Sequence, residues 1–316
     1  MSNPFRRISV TFALLSLSAA MLSAQSTSLT VPLELTHGKP FVMVMVNGKG
    51  PFRFVVDTGT GAEAFVTGEL ADELNLPVTG QVRLSDPSLQ GGQRVPQVLI
   101  QSLEVAGVVF SGVRAARHPL SNADGNCDGL LGFELFRDYL LTLDYPNRRM
   151  TLGLGSLVPD GERSVLPFRM PYGIPIVPLH VGDLRIEAQI DSGGTGLSLP
   201  EEFVSHLKFD SDPATFGIAE SLSTRFELRA AKLAADVRLG SYTFTRPFVE
   251  IHSAFPLANL GSCAMQNFAF TFDQKSGLVR FESGQQTLRL AATPTPLRIQ
   301  NAPPDRPYDN ALVPIG

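Results

Sequence analysis

The stretch FVVDTGTG, residues Phe54–Gly61, determines how the rest of the chain is interpreted. Three apolar residues lead into Asp57, and a hydroxyl residue and a glycine follow at once. An apolar run that ends in turn residues predicts a buried strand with a sharp exit. A carboxylate at the end of such a strand is unfavourable unless hydrogen bonds or a partner group satisfy it. Alone, the triplet Asp57–Gly59 is a weak indication of function, because most such triplets are ordinary turns.

A second stretch, much later in the chain, has the same order of residue types. In RIEAQIDSGG, residues Arg185–Gly194, an alternating strand pattern leads into Asp191. Further matches follow in the same order: LLG at 130–132 with NLG at 259–261, and predicted closing hairpins at 141–152 with 270–281. The two Asp residues are 134 positions apart and the later pairs are 129 apart, a difference that one change in loop length explains. The ordered repeat predicts two similar halves that arose by duplication.

The composition favours an all-β protein. The 316 residues include 24 Pro and 28 Gly, 43% are hydrophobic, and long helical periodicity is scarce. The net charge of −4 gives no reason to expect a nucleic-acid partner. The five His residues lack metal-ligand spacing, so the sequence predicts neither a metal site nor another cofactor.

The chain is predicted to divide into four segments, which are a signal peptide at 1–24, a first lobe at 25–155, a second lobe at 156–285 and a Pro-rich tail at 286–316. Arg6 and Arg7 precede an apolar run at 8–22, which is typical of a secretory signal cleaved after Ala24. Leu22 is larger than usual for its place before the cleavage site, and an uncleaved anchor helix stays the alternative. We therefore expect an exported protein, periplasmic or secreted, without stable membrane insertion after cleavage.

The two Asp motifs together indicate acid–base chemistry. Two carboxylates held close together cannot both be ionised, because the first charge opposes the second, and they then share one proton. One carboxylate can take a proton from a water molecule while the other protonates the substrate. In this interpretation Gly59 and Gly193 allow tight turns whose N–H groups approach the carboxylates. Thr58 and Ser192 would form hydrogen bonds across the axis that relates the halves.

With these motifs the chain resembles the aspartic proteases, and in particular the bacterial retropepsin-like and pepsin-like exported forms. The matching residues are VVDTGT at 55–60, QIDSGG at 189–194 and the later LLG and LG segments, within a resemblance that extends over residues 29–285. It implies a two-lobed acid-protease fold in which each lobe is a small β-barrel-like unit with one or two short helices. It also implies a monomer that hydrolyses a peptide or protein substrate with a water activated between Asp57 and Asp191, without a cofactor. The residues expected to support this dyad are Thr58, Gly59, Thr60, Ser192 and Gly193.

A predicted hairpin arm, Gly80–Gln101, is the candidate flap over the site. Gly91 and Gly92 lie at its tip, and the arm contains no aromatic residue. The arm is therefore more similar to the Gly-rich flap of retropepsins than to the Tyr-bearing flap of pepsin-like enzymes. Gly91 and Gly92 are the candidate substrate-binding residues.

The two motifs differ in one chemically relevant position. Thr60 has a hydroxyl three residues after Asp57, whereas Gly194 at the matching place has none. Because a donor to a carboxylate favours its ionised form, we expect Asp57 to be the more acidic member and to serve as the base.

Three alternatives stay open. The fold could belong to a catalytically silent peptide-binding or structural protein, although both Asp-hydroxyl-Gly triplets are intact. One lobe could pair with that of another molecule, as in retroviral dimers, although two complete motifs in one chain make this unnecessary. Cys127 and Cys263 could form a disulfide in an exported protein, but two buried thiols are the expected arrangement.

Overall fold

A computed structural model of the chain describes residues 28–85, 92–120, 127–194, 196–220, 225–288 and 290. The predicted signal peptide, the arm-tip residue Gly91 and most of the predicted tail lie outside these residues. The protein is 55% strand and 8% helix with curled sheets, which confirms the all-β two-lobed fold.

Eleven strands belong to the first half of the chain. They are β1 (Leu29–Pro32), β2 (Glu34–Thr36), β3 (Lys39–Val46), β4 (Lys49–Asp57), β5 (Ala64–Val66), β6 (Val78–Leu84), β7 (Gln93–Val105), β8 (Val108–Arg117), β9 (Gly129–Gly132), β10 (Leu140–Asp144) and β11 (Arg149–Gly153). A short helix, α1 (Gly68–Glu73), follows β5, and a 3-10 helix (Phe133–Phe136) follows β9.

Thirteen strands follow in the second half. They are β12 (Val165–Pro167), β13 (Ile176–Val181), β14 (Leu184–Asp191), β15 (Leu197–Pro200), β16 (Ala214–Glu220), β17 (Arg225–Lys232), β18 (Val237–Leu239), β19 (Tyr242–Phe244), β20 (Phe248–His252), β21 (Ala258–Gly261), β22 (Ala269–Asp273), β23 (Leu278–Glu282) and β24 (Thr287–Leu288). A 3-10 helix (Glu201–His206) follows β15, and helix α2 (Ser262–Met265) follows β21.

The strands form three sheets. The first half builds an eight-stranded sheet in the order β2-β3-β4-β9-β5-β8-β7-β6. The second half builds a ten-stranded sheet in the order β16-β17-β20-β15-β21-β14-β13-β18-β19-β24. A six-stranded sheet, β1-β11-β10-β22-β23-β12, takes strands from both halves and so joins them.

The predicted repeat is confirmed by the strand pairing. In the first half β4 lies parallel to β9, and β9 lies antiparallel to β5. In the second half β14 lies parallel to β21, and β21 lies antiparallel to β15. The register is equivalent too, because Asp57 pairs with Gly132 and Asp191 pairs with Gly261.

The interior is a continuous apolar cluster that takes side chains from both halves. Around the six-stranded sheet it is rich in aromatic rings, and Phe133 packs edge-on against Phe272 with ring centres 5.2 Å apart. Burial of apolar surface on this scale is the main stabilising contribution in a fold with few helices.

The helices are shorter than the sequence predicts. The sequence of residues 67–77 predicts one short helix that Pro77 ends. The structure has there the single turn and a half of α1, which begins after Thr67, whose side chain caps the Leu70 N–H at 3.1 Å. It ends before Asn75, whose φ of 50° breaks the helical path ahead of Pro77. The short helices that the sequence predicts at 134–139 and 200–207 are 3-10 turns at Phe133–Phe136 and Glu201–His206. No helix in the described ranges is long and apolar enough to cross a membrane.

The arm of the second half also begins earlier than predicted. The sequence predicts this arm at 222–240, whereas it is formed by β16 and β17, whose antiparallel pairs run from Ala214 opposite Ala230 to Glu220 opposite Arg225. Cys127 and Cys263 are thiols that no disulfide joins, as expected, although Cys263 is partly exposed rather than buried.

Candidate active site

Asp57 and Asp191 each lie at the last residue of a strand, and each strand pairs in parallel with a strand that ends in glycine. At the end of β9 only glycine fits, because a Cβ at Gly132 would lie 2.0 Å from the Ala62 carbonyl oxygen. The chain therefore turns tightly after each Asp. The two turns meet between the lobes and bring together residues that are 134 positions apart.

The two turns are joined by four reciprocal hydrogen bonds. The Thr58 N–H donates to Ser192 Oγ at 2.9 Å, and the Ser192 N–H donates to Thr58 Oγ1 at 3.0 Å. Each hydroxyl then donates to a carbonyl in the opposite lobe, Thr58 to Ile190 and Ser192 to Val56, both at 2.7 Å. Both side chains are fully buried. The predicted bonds across the axis are therefore present, and they fix the position of one Asp relative to the other.

The Asp57 carboxyl accepts two hydrogen bonds from its own turn. The Gly59 N–H donates to Oδ1 at 2.8 Å, and the Thr60 hydroxyl donates to Oδ2 at 2.9 Å. The predicted contact of Thr60 with the carboxyl is thus present.

The Asp191 carboxyl accepts three hydrogen bonds. The N–H groups of Gly193 and Gly194 donate to Oδ1 at 3.0 and 2.8 Å, and Asn259 Nδ2 donates to Oδ2 at 3.2 Å. Asn259 lies on β21 and replaces the missing hydroxyl at position 194 with a donor from another element. Asp191 thus accepts one more hydrogen bond than Asp57 does.

The two carboxyl groups lie close enough for the Asp191 charge to act on Asp57. Burial, the Asp191 charge and a hydrogen bond with Asp191 raise the pKa of Asp57 to about 7, although Thr60 and Gly59 oppose the rise. The direction of this shift runs against the expectation that Asp57 is the more acidic member.

Gly59 and Gly193 are required by the closeness of the dyad rather than by their backbone angles. A Cβ at Gly59 would lie 2.4 Å from Asp191 Oδ1, and a Cβ at Gly193 would lie 2.4 Å from Asp57 Cγ. Each glycine thus gives the opposite carboxyl the space it occupies. This extends their predicted role in forming tight turns.

Tyr145 is a buried residue near the dyad that the sequence motifs did not single out. Its hydroxyl contacts Met265 Sδ at 3.9 Å, and burial together with the nearby Asp191, Cys263 and Asp57 raises its pKa well above 10. Tyr145 therefore stays neutral beside the carboxyl groups.

Of the two predicted flap residues, only Gly92 is described. Its φ is 128°, and a Cβ there would lie 2.3 Å from the Leu84 carbonyl oxygen, so the hairpin requires glycine at this place. Gly91 lies outside the described residues. The role of either in substrate binding stays a prediction. Among the described side chains, no group of three or more His, Cys, Asp or Glu is arranged to hold a metal ion.

Comparison with known proteins gives one informative match. The model of a family described as aspartyl protease matches residues 42–135, which contain Asp57 and the segment from β9 to the following 3-10 helix. This match supports the assignment of the chain to the aspartyl protease family. Asp191 lies outside the matched range, and its place in the site follows from the repeated strand pairing. None of the curated proteins matches the chain significantly.

Proposed function

We propose that the protein is an exported aspartic endopeptidase that hydrolyses peptide bonds with a water molecule activated by Asp57 and Asp191. The family match supports protease activity in general. The observation that carries the specific proposal is the closeness of two partly buried carboxyl groups on turns that reciprocal Thr58 and Ser192 hydrogen bonds hold together. A binding protein would gain nothing from burying two like acids at such close range.

The unequal hydrogen bonding of the carboxyl groups supports different roles for them. Asp191, with three donors, acts as the base and takes a proton from the water. Asp57, with its pKa raised to about 7, donates its proton to the carbonyl oxygen as the water oxygen bonds to the carbonyl carbon. The resulting tetrahedral intermediate has no covalent bond to the enzyme. A carboxyl proton then passes to the leaving nitrogen as the C–N bond breaks.

The proposal is tested by isosteric replacement of each carboxyl. Asp57→Asn and Asp191→Asn should each reduce hydrolysis of casein and of fluorogenic peptides to background. Asp138→Asn is the matched control, because Asp138 is exposed and pairs with Lys275 away from the dyad. Full activity in either dyad variant would contradict the shared mechanism. Hydrolysis in H₂¹⁸O under single-turnover conditions should place one ¹⁸O atom in the new carboxyl group.

A peptide analogue with a statine-type hydroxyl separates catalysis from mere binding. It should inhibit the enzyme and raise its thermal midpoint. A catalytically silent protein of the same fold would bind the analogue and cleave no peptide at any pH from 3 to 8.

The export part of the proposal rests on the sequence of residues 1–24. It is tested by N-terminal sequencing of the protein recovered from the periplasm or medium of a bacterial host. A mature terminus at Gln25 is expected, and retention of Met1 on a membrane-bound chain would contradict cleavage.

A further inference from the structure

A row of polar side chains crosses the second-half sheet on the face that carries Asp191. Gln189, Asn259, Ser198 and Glu250 are successive cross-strand partners on β14, β21, β15 and β20. Partners in register place their side chains on the same face, and Gln189 shares its face with Asp191 two residues later. The hydrogen bond from Asn259 to Asp191 confirms that the row begins at the dyad. The intervening residues, such as Leu260 and Ile251, lie in the core.

The corresponding row in the first half is apolar. Val55, Leu130, Phe65 and Ala116 occupy the equivalent partner positions on β4, β9, β5 and β8. Val55 and Leu130 are buried in a small apolar cluster, and Phe65 packs against it. The repeated fold therefore presents chemically different surfaces on the two sides of one pair of carboxyl groups.

Within the polar row, Glu250 is the residue whose burial is the least favourable in free energy. Its side chain is 5% exposed, and a Cβ at Gly196, in the turn that follows Asp191, would lie 2.5 Å from its carboxyl group. Within the part of the chain that the structure describes, no hydrogen bond or ion pair is made to its carboxyl. Burial alone raises its pKa to about 7. An isolated buried carboxyl is unfavourable, and folds keep such groups where they have a use.

The surroundings of Glu250 leave its charge unmatched within the protein. Its in-register neighbours are small, Ser198 on one side and Ala230 on the other. The cationic side chains of Arg229 and Lys232 on β17 pair with Glu201 and Asp210 instead. In the first-half row Phe65 takes the place of Ser198, so the equivalent space is filled.

We propose, on the basis of the proposed function, that Glu250 is a specificity-determining residue that binds the Lys or Arg side chain of a peptide substrate. The carboxyl lies against the turn that carries Asp191, so the basic residue would be close to the scissile bond on the second-half side of the dyad. Pairing with a cation replaces the isolated buried acid of the free protein with a compensated charge. The apolar row of the first half offers no such partner, so the preference for a basic side chain is confined to the second-half side of the dyad.

The test compares arginine with citrulline, which has the same shape and no charge. A set of fluorogenic peptides carries Arg, Lys, citrulline or Met at each position near the scissile bond, within an otherwise neutral apolar sequence. At one position we expect kcat/KM for Arg to exceed that for citrulline by about 30-fold, since removal of one partner from a buried charge pair has an effect of this order. Glu250→Gln should abolish that ratio and leave hydrolysis of the citrulline peptides within about threefold of the original enzyme.

Glu187→Gln is the matched control, because Glu187 lies on the same sheet in β14, is partly exposed, and pairs with Arg169. It should leave the Arg/citrulline ratio unchanged. An equal preference for Arg and citrulline at every position in the unmodified protein, or an unchanged ratio in Glu250→Gln, would overturn the proposal.

A binding measurement separates this proposal from the proposed function. Non-cleavable reduced-amide peptides with Arg or citrulline at each position are titrated by calorimetry against the unmodified protein. Tighter binding of one Arg peptide than of its citrulline counterpart supports the role of Glu250. This measurement requires neither cleavage of a peptide nor a folded Glu250→Gln variant. Hydrolysis of citrulline peptides with no charge preference in binding would remove Glu250 from the site and leave the protease proposal standing.

Discussion

Asn259 Nδ2 donates a hydrogen bond of 3.2 Å to Asp191 Oδ2, and no residue at the equivalent position of the other lobe can do the same. That equivalent position is Leu130, which is buried among apolar side chains. The dyad is thus built from two turns of the same shape whose surroundings differ. The proposed roles of the two carboxyl groups rest on this difference, and so do several predictions.

Asn259→Leu should move the acidic limb of the pH dependence of kcat/KM to higher pH. The substitution copies the first-half residue Leu130 and removes one of three hydrogen-bond donors to the carboxyl group that we propose as the base. Loss of a donor favours the protonated form of a carboxylate. Asn267→Leu, whose amide contacts only the Ala264 carbonyl, is the control and should leave the limb in place. If the pH midpoint of the acidic limb is unchanged within experimental error in Asn259→Leu, the proposal that Asp191 is the base is contradicted.

Thr60→Val should move the basic limb of the pH dependence of kcat/KM to higher pH. The Thr60 hydroxyl lowers the pKa of Asp57 against the larger effects of burial and the Asp191 charge, which together bring it to about 7. Without the hydroxyl this pKa rises further, so activity should persist to higher pH before the acid loses its proton. Thr215→Val removes an exposed hydroxyl that bonds Glu227 and serves as the control. A shift confined to the acidic limb would show that Asp57 is the base after all.

Gly59→Ala should separate the carboxyl groups without unfolding the lobes. The added Cβ would lie 2.4 Å from Asp191 Oδ1, closer than any contact allows, so the turn or the carboxyl must move. We expect kcat/KM to fall by about 100-fold or more, as for other displacements of reacting groups by about 1 Å. Gly217→Ala is the control, because nothing lies within 4 Å of its Cβ position. Retained activity in Gly59→Ala would show that the dyad tolerates a wider separation.

Ser192→Ala should destabilise the protein by about 2–4 kcal/mol, since it leaves the buried Thr58 N–H and Val56 carbonyl without their partner. Urea denaturation at pH 5 measures the change. Thr30→Val, at an exposed hydroxyl pair with Thr151, should cost about 0.5 kcal/mol or less. Equal losses in the two variants would mean that the bonds between the turns contribute little to stability.

The pH dependence of stability should reveal the two buried acids. Burial raises the pKa of Asp57 from 3.8 and that of Glu250 from 4.5, each to about 7, so the folded protein binds protons that the unfolded chain has released. Both groups therefore lower stability progressively as the pH rises from about 4 to 7. Asp57→Asn and Glu250→Gln should each raise the free energy of unfolding by more at pH 8 than at pH 4. A gain of the same size at both pH values would show that folding does not raise the pKa of either acid.

Much of the fold could be predicted from the repeat of short motifs. An apolar strand, an Asp and a glycine turn form one local unit, and two such units in the same order specify equivalent strand pairs around Asp57 and Asp191. The helices were harder to delimit, because the capping signal at Thr67 begins α1 but packing and Asn75 end it within a few residues.

The charge distribution in the site could not be predicted from the motifs. Thr60 is adjacent in sequence to its carboxyl and was found, whereas Asn259 is 68 residues from Asp191 and reaches it only through the parallel pairing of β14 with β21. Glu250 was missed for the same reason. Its strand is a run of buried residues, and only the register with Ser198 places its carboxyl on the face of the dyad.

The six-stranded sheet carries a record of how the chain came to have two halves. Thr142 pairs with Thr271, the residue 129 positions later that is its own counterpart, and their hydroxyls lie 2.9 Å apart. The pairing is symmetric about this point, since Leu140 lies opposite Asp273 and Asp144 opposite Ala269. Such self-complementary contact is what two identical subunits make across a twofold axis. In such a homodimer symmetry gives both acids the same surroundings, whereas this chain places Thr60 beside one carboxyl and Asn259 beside the other. A single polypeptide with two halves can therefore change the surroundings of one carboxyl without changing those of the other.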